Sequence, residues 1–184
     1  MTGIKSMTKK CKSCGEKFQP YNTLQKYCSK PECIKVWVDT EKQKQWNKRK
    51  SEIKKDLMSL QDYIKIAQTH FNHFIRLRDS GNDCISCGKK ISNTETVHAS
   101  HYKPAGTCYN VRFNEDNVWV SCVKCNTHLS GNISEYRTRL VNKIGSERVE
   151  EVERLSSITR KFTKEELVEI ADIYKKKVKE LKNN

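Results

Sequence analysis

CISCGKKISNTETVHASH at residues 84–101 and NVWVSCVKCNTH at residues 117–128 are the two stretches on which the reading of this chain turns. Cys84-x2-Cys87 and Cys122-x2-Cys125 supply four thiolates in paired C-x2-C form, the ligand set of a closed, tetrahedral structural zinc site. Between and just behind them stand His98, His101, Asn117 and His128. These residue types can hold a second metal and take a proton from a water molecule.

A second cysteine cluster lies near the N-terminus, as Cys11-x2-Cys14 followed by Cys28-x4-Cys33. Four cysteines in so short a span fit a zinc knuckle or ribbon, with Gly15 relaxing the backbone behind the first pair. The total of nine cysteines is odd, which speaks against a framework of disulfides alone. Cys108 is the one left over, and a buried filler is the expected role. The opening residues are polar and lack the apolar core of a secretory signal. A cytoplasmic location is therefore expected, where thiols stay reduced and paired cysteines hold metal more often than they form disulfides.

Hydrophobic residues make up 35% of the 184, and mean hydropathy is -0.83. That is thin for a packed core of this size, and metal binding would compensate because its free energy becomes folding free energy. No run is long and apolar enough to cross a bilayer. The formal net charge is +14, and residues 1–59 hold fifteen Lys and Arg against six Asp and Glu. Such an excess favours a polyanionic partner, and nucleic acid is the simplest. Within 34–56 the lysines interleave with Trp37 and Trp46, without Gly or Pro, as expected for an exposed helix or semi-ordered connector along a phosphate backbone.

Periodicity places the remaining elements. Leu60, Tyr63, Ile64, Ala67, Phe71, Phe74 and Ile75 recur at spacings of three and four and predict a helix over 60–79, ended by Ser80-Gly81-Asn82. His70 and His73 lie beside or off that stripe and are not counted as catalytic. A strand over Thr94–His98 and a partner over Val118–Ser121 flank an irregular loop. A short helical turn over Cys125–Leu129 follows, then a helix from Ile133 to Gly145. A last helix begins at Thr163, with Glu166 completing a capping box and Leu167, Ile170, Tyr174, Val178 and Leu181 on its apolar side. That stripe could serve a core or a homodimer interface.

The fold expected is a small α+β one: a zinc-stapled core with flanking helices and an N-terminal zinc knuckle. Its parts are a four-cysteine knuckle at 1–40, a basic helical connector at 41–59, the core at 60–145, and C-terminal helices at 146–184.

His101, Asn117 and the ending Cys122-x2-Cys125-Asn126 resemble the HNH, or ββα-metal, nucleases. The resemblance implies that His101 is the general base and that Asn117 orients the motif loop. It makes Asn126 a ligand of a catalytic divalent ion, Mg²⁺ or Mn²⁺, with His128 a second candidate. Many members carry an acidic ligand directly before the base, whereas this chain has Ser100. His98 is the residue available to replace it, but positions 98 and 101 face opposite sides of a regular strand, so a bend or bulge would be required.

A narrower likeness spans most of the chain. Ala67-Gln68 with Phe71-Asn72, Ile75-Arg76-x-Arg78-Asp79, Cys84-x2-Cys87-Gly88, Ser100-His101-Tyr102, Arg112-Phe113-Asn114 and Cys125-Asn126-x-His128-Leu129-Ser130-Gly131-Asn132 resemble the phage NinG (Rap) recombination family. The N-terminal cysteine cluster belongs to the same pattern. What this implies is a structure-specific DNA endonuclease acting on branched intermediates such as Holliday junctions and D-loops. Arg76, Arg78, Tyr102, Lys103 and Arg112 are the expected phosphate contacts, from their nearness to the motif. The competing expectation is a non-catalytic zinc-dependent DNA-binding, transcription or assembly factor, which accounts equally for cysteines and charge but leaves His101, Asn117 and Asn126 without a task.

Overall fold

The computed structural model describes residues 8–92 and 95–183. Thr94 and the opening residues 1–7 lie outside the described residues. The chain divides into two compact units, Met1–Met58 and Ser59–Asn184, in a small α+β architecture with two two-stranded sheets. No helix among the described residues is long and apolar enough to cross a membrane.

In the first unit β1 (Lys9–Lys10) pairs antiparallel with β2 (Lys17–Phe18), and α1 spans Pro31–Asp56. Pro31 sits in the first turn of α1, where a missing N–H costs nothing. The stretch 34–56 is thus helical throughout, and α1 runs unbroken through residues 40 and 41. The helix has no continuous apolar stripe: Cys33 is its buried residue, while Trp37, Trp46 and Ile53 are exposed. Its stability comes from the cysteine cluster at its start and from pairs such as Lys44–Glu41 at 2.6 Å.

The second unit is built around a hairpin. Strand β3 (Val97–His101) pairs antiparallel with β4 (Val118–Cys122), in a register running from Val97 opposite Cys122 to His101 opposite Val118. Of the strand expected over Thr94–His98, Glu95 and Thr96 lie outside the ladder, Val97 and His98 lie within it, and the strand runs on to His101. Helix α2 (Leu60–Arg78) covers one face and packs on α5 (Lys164–Asn183). Phe71, Phe74, Ile75, Val118 and Tyr174 form that core, with Phe71 edge-on to Tyr174 at 4.7 Å between ring centroids. Helices α3 (Ile133–Ile144) and α4 (Ser146–Ser156) cover the other face through Tyr136, Leu140, Val149 and Val152, beneath Ile85, Tyr102 and Val111.

The termini of these helices follow local chemistry. Ser59 caps α2 and exchanges hydrogen bonds with Asp62, a capping box built on the shorter carboxylate. At α5 Thr163 and Glu166 do the same, as the sequence predicted. The α5 stripe turns Leu167, Ala171 and Tyr174 inward, while Leu181 stays exposed, so most of this face serves the core. On β4 the edge away from β3 is closed by protein: Val120 N–H donates to buried Asp79, Ile85 N–H to the Val120 carbonyl, and Arg78 to the Val118 carbonyl.

Candidate metal centres and active site

Both cysteine quartets gather into metal-sized clusters. The four sulfurs of Cys11, Cys14, Cys28 and Cys33 lie within 4.8 Å of one another, as do those of Cys84, Cys87, Cys122 and Cys125. Cys14 and Cys28 approach to 3.8 Å, and Cys87 and Cys122 to 4.0 Å. A tetrahedron with zinc–sulfur arms of ~2.3 Å has edges of about 3.8 Å, far longer than a disulfide of ~2.05 Å. All nine cysteines are free thiols. The two quartets could each hold a zinc ion.

The two first pairs share one turn despite their different second-pair spacings. Gly15 and Gly88 follow them with φ of 74° and 70°, a conformation that favours glycine. In each turn the glycine N–H donates to the carbonyl of the first cysteine, at 2.9 Å for Cys11 and 2.8 Å for Cys84. Burial works against the Cys11 thiolate, but N–H groups of Cys14, Cys28 and Ser13 outweigh it and bring its pKa down to about 6. Cys84 is likewise opposed by burial and lowered to about 7 by N–H groups of Cys87, Cys122 and Ser86. A backbone aimed at sulfur in this way favours the charged form that binds metal.

The second quartet also fixes the hairpin. Cys84 precedes β3, Cys122 is the last residue of β4, and Cys125 lies in a single wide turn over Lys124–His128, where Leu129 N–H reaches back to the Lys124 carbonyl at 3.1 Å. The turn ends in Ser130-Gly131-Asn132, all three with positive φ. It carries Asn126 to the hairpin, where its side-chain amide meets His98 Nδ1 at 2.8 Å. Opposite His98 across the ladder stands Ser121, whose buried hydroxyl lacks a hydrogen-bond partner among the described residues. Cross-strand partners project to the same face, so this face gathers an imidazole, an amide and an orphan hydroxyl. His128 is exposed.

His101 belongs to the other face. The β3–β4 register continues without a bulge from 98 to 101, so the two histidines point to opposite sides of β3. The imidazole of His101 lies beside Phe71, 6.4 Å between ring centroids, and its Nε2 is 3.0 Å from the Arg112 carbonyl. A carbonyl can only accept, so Nε2 carries the hydrogen and Nδ1 keeps a free lone pair. Burial lowers the pKa of His101, a tendency the carbonyl bond opposes and the Arg112 charge reinforces. Burial thus favours the neutral ring.

Asn117, fully buried, ties the loop between the strands to itself. Its Nδ2 donates to the carbonyls of Lys103 (3.1 Å) and Val111 (2.9 Å), and its Oδ1 accepts from Lys103 N–H at 2.7 Å. Arg112, whose carbonyl meets His101, is itself held by Gln68 Oε1 and the Ala105 carbonyl, both at 2.9 Å.

The expected phosphate contacts divide. Tyr102 is buried and donates to Glu153; Lys103 lies over its ring, 3.9 Å from the same carboxylate. Arg78 is engaged by Asp79 at 2.7 Å, by two carbonyls and by the face of Trp119. Arg76 has no carboxylate partner among the described residues. Periodicity did not single out Gln68 or Glu153; it did place Tyr136 on the apolar face of its helix, where the ring is buried and the hydroxyl donates to the Ser100 carbonyl at 2.9 Å. Gln68 had a signal in the sequence, since it stands in the Ala67-Gln68 segment of the family likeness.

A family model described as Bacteriophage Lambda NinG protein matches residues 4–184. The chain belongs to the NinG family. It is 36% identical over 200 residues to protein ninG of Escherichia phage lambda, covering 98% of this chain and 96% of that one. Its identity to protein ninG of Escherichia phage 933W is 34% over 197 residues, with the same coverage. With protein ninG of Salmonella phage P22 it is 34% over 200 residues, 98% of this chain and 97% of the other. No solved structure matches the chain significantly.

Proposed function

We propose that the second unit is a ββα-metal, HNH-like endonuclease that hydrolyses phosphodiester bonds in branched DNA, with His101 as general base. The observation that carries the reading is the hydrogen bond from His101 Nε2 to the Arg112 carbonyl. It fixes one tautomer, holds the ring, and leaves Nδ1 as a neutral acceptor able to take a proton from water. Asn117 supports the base by holding the loop that carries the Arg112 carbonyl. The choice of branched DNA, Holliday junctions and D-loops included, rests on the family likeness drawn from the motif residues.

The protein donors for a catalytic divalent ion are His98 and Asn126, joined at 2.8 Å, with the Ser121 hydroxyl on the same face. The pair lacks a carboxylate, and a set of imidazole plus amide suits Mn²⁺ better than Mg²⁺, which prefers oxygen. Such an ion supplies charge to offset the negative charge that builds on the phosphate. Among the described residues β3 pairs with β4 alone, and with no bulge between 98 and 101 the two histidines lie on opposite faces of it, so a scissile linkage that meets both would cross the strand edge. Three strand residues span about 10 Å, the separation that such a linkage and its attacking water would bridge.

The enclosure of the His101 ring beside Phe71 favours the second reading, a zinc-dependent DNA-binding protein without catalysis. Incubation of the zinc-loaded protein with labelled four-way and linear DNA, with and without Mn²⁺ or Mg²⁺, separates the two. Expected is metal-dependent cutting of the four-way substrate in preference to the linear one. Binding of both substrates with no cutting under any metal would leave only the binder.

A further inference from the structure

A groove of about 670 Å³ lies within the first unit, between the 21–29 loop and α1. We propose that it binds an unpaired nucleobase of a single-stranded DNA segment, with the flanking phosphates on lysines at its rim. The site is separate from the hairpin and does not depend on hydrolysis.

Tyr21, Leu24 and Trp37, which line it, take no part in the core of this unit. The core of this unit is Cys11, Cys28 and Cys33 with Phe18 and Tyr27 packed against them. Tyr21, by contrast, is 88% exposed, Leu24 81% and Trp37 48%. Side chains of this size left in water forgo their burial energy, and Tyr21 and Trp37 both offer a flat π-face.

The loop that presents Tyr21 is braced. Tyr21 N–H donates to Gln25 Oε1 at 2.7 Å, and the N–H groups of Leu24 and Gln25 both reach Asn22 Oδ1 at 2.9 Å. Gln25 Nε2 in turn donates to the Tyr27 carbonyl at 2.9 Å. A loop fixed by its own side chains loses little further freedom when a ligand arrives.

Charge selects the occupant. Lys12, Lys26 and Lys44 line the groove against a single carboxylate, Glu41. Glu41 is taken up by Lys44 at 2.6 Å, while Lys12 and Lys26 have no carboxylate partner among the described residues. Flat apolar faces ringed by uncompensated cations match a base and its phosphates. Paired bases in a duplex keep their faces stacked on each other, so the groove discriminates in favour of a single strand.

The test is fluorescence anisotropy of labelled oligo-dT and of a blunt duplex of equal length, titrated with the full zinc-loaded chain without added Mg²⁺ or Mn²⁺. Expected for Tyr21→Ala combined with Trp37→Ala is a loss of about tenfold or more in oligo-dT affinity, the scale of base–aromatic stacking, with duplex affinity changed about twofold or less. Trp37→Phe, which keeps a π-face, should restore most of the loss. Lys12→Ala with Lys26→Ala should flatten the salt dependence of oligo-dT binding. If the double aromatic variant loses zinc, Tyr21→Ala alone carries the test, since that side chain is almost wholly in solvent. Unchanged oligo-dT binding in Tyr21→Ala, or equal losses for oligo-dT and duplex, would overturn the proposal. So would competition by polyglutamate as effective as that by unlabelled oligo-dT, which would assign the groove to an acidic protein. None of these outcomes bears on whether the hairpin cuts DNA.

Discussion

His101 and Arg78 show how differently two residues near the same motif are used. Burial lowers the His101 pKa, so the neutral ring persists to more acid pH than an ordinary imidazole of ~6.5. A base must be unprotonated, so cleavage should rise with pH along an acidic limb and level off at an apparent pKa below ~6.5. Single-turnover rates from pH 5 to 8 check this, and a limb centred above 7 would contradict it. Arg78 sits at the C-terminal end of α2, where sequence proximity suggested a phosphate contact. The chain instead uses it to hold Asp79, 2% exposed, against the edge of β4. Arg78→Ala leaves that carboxylate buried without its cation and held, among the described residues, only by the Val120 N–H, which should cost about 3 kcal/mol in urea unfolding. An equally stable variant with weakened DNA binding would return Arg78 to the interface. The adjacent Asp79 was the sign in the sequence, but spacing alone cannot say whether a neighbouring pair turns inward.

At the scale of elements the helices were the most legible. The three-and-four spacing of Ile64, Ala67, Phe71, Phe74 and Ile75 is an internal signal that tertiary packing only reinforces. The strand was less so: β-branched Thr94 and Thr96 invite an early start. The ladder begins at Val97, whose partner Cys122 is fixed by the second quartet, so the sulfur cluster clamps the open end of the hairpin. The α2 capping box went unread because Asp62 stands where Glu or Gln is the usual signal. Cys87→Ser removes one of four sulfurs from the hairpin quartet and none from the N-terminal one. Bound zinc should fall from two ions per chain to one, with thermal unfolding of the hairpin at lower temperature while the first unit keeps its metal. Atomic absorption with scanning calorimetry checks this, and a variant keeping two zincs and normal stability would refute the tetrathiolate assignment.

Over the whole molecule, charge and metal divide the work between two units. The net charge of +14 is weighted toward residues 1–59, so DNA affinity should fall steeply with salt. The cysteine pairs made both clusters legible in the sequence, because a C-x2-C turn needs only local geometry. The arrangement around His101 was not legible in the same way. That Gln68 on α2 holds Arg112, whose carbonyl then meets the imidazole, depends on three segments meeting in space. The measurement that bears most directly on this arrangement is single-turnover cleavage of a labelled four-way junction by wild type and His101→Ala, with zinc content and junction affinity taken on the same preparations. Expected is a rate lower by about 10²-fold or more, with both zincs and the affinity retained. Cutting at the wild-type rate would contradict it, and so would a loss of cutting that comes only with loss of zinc and fold.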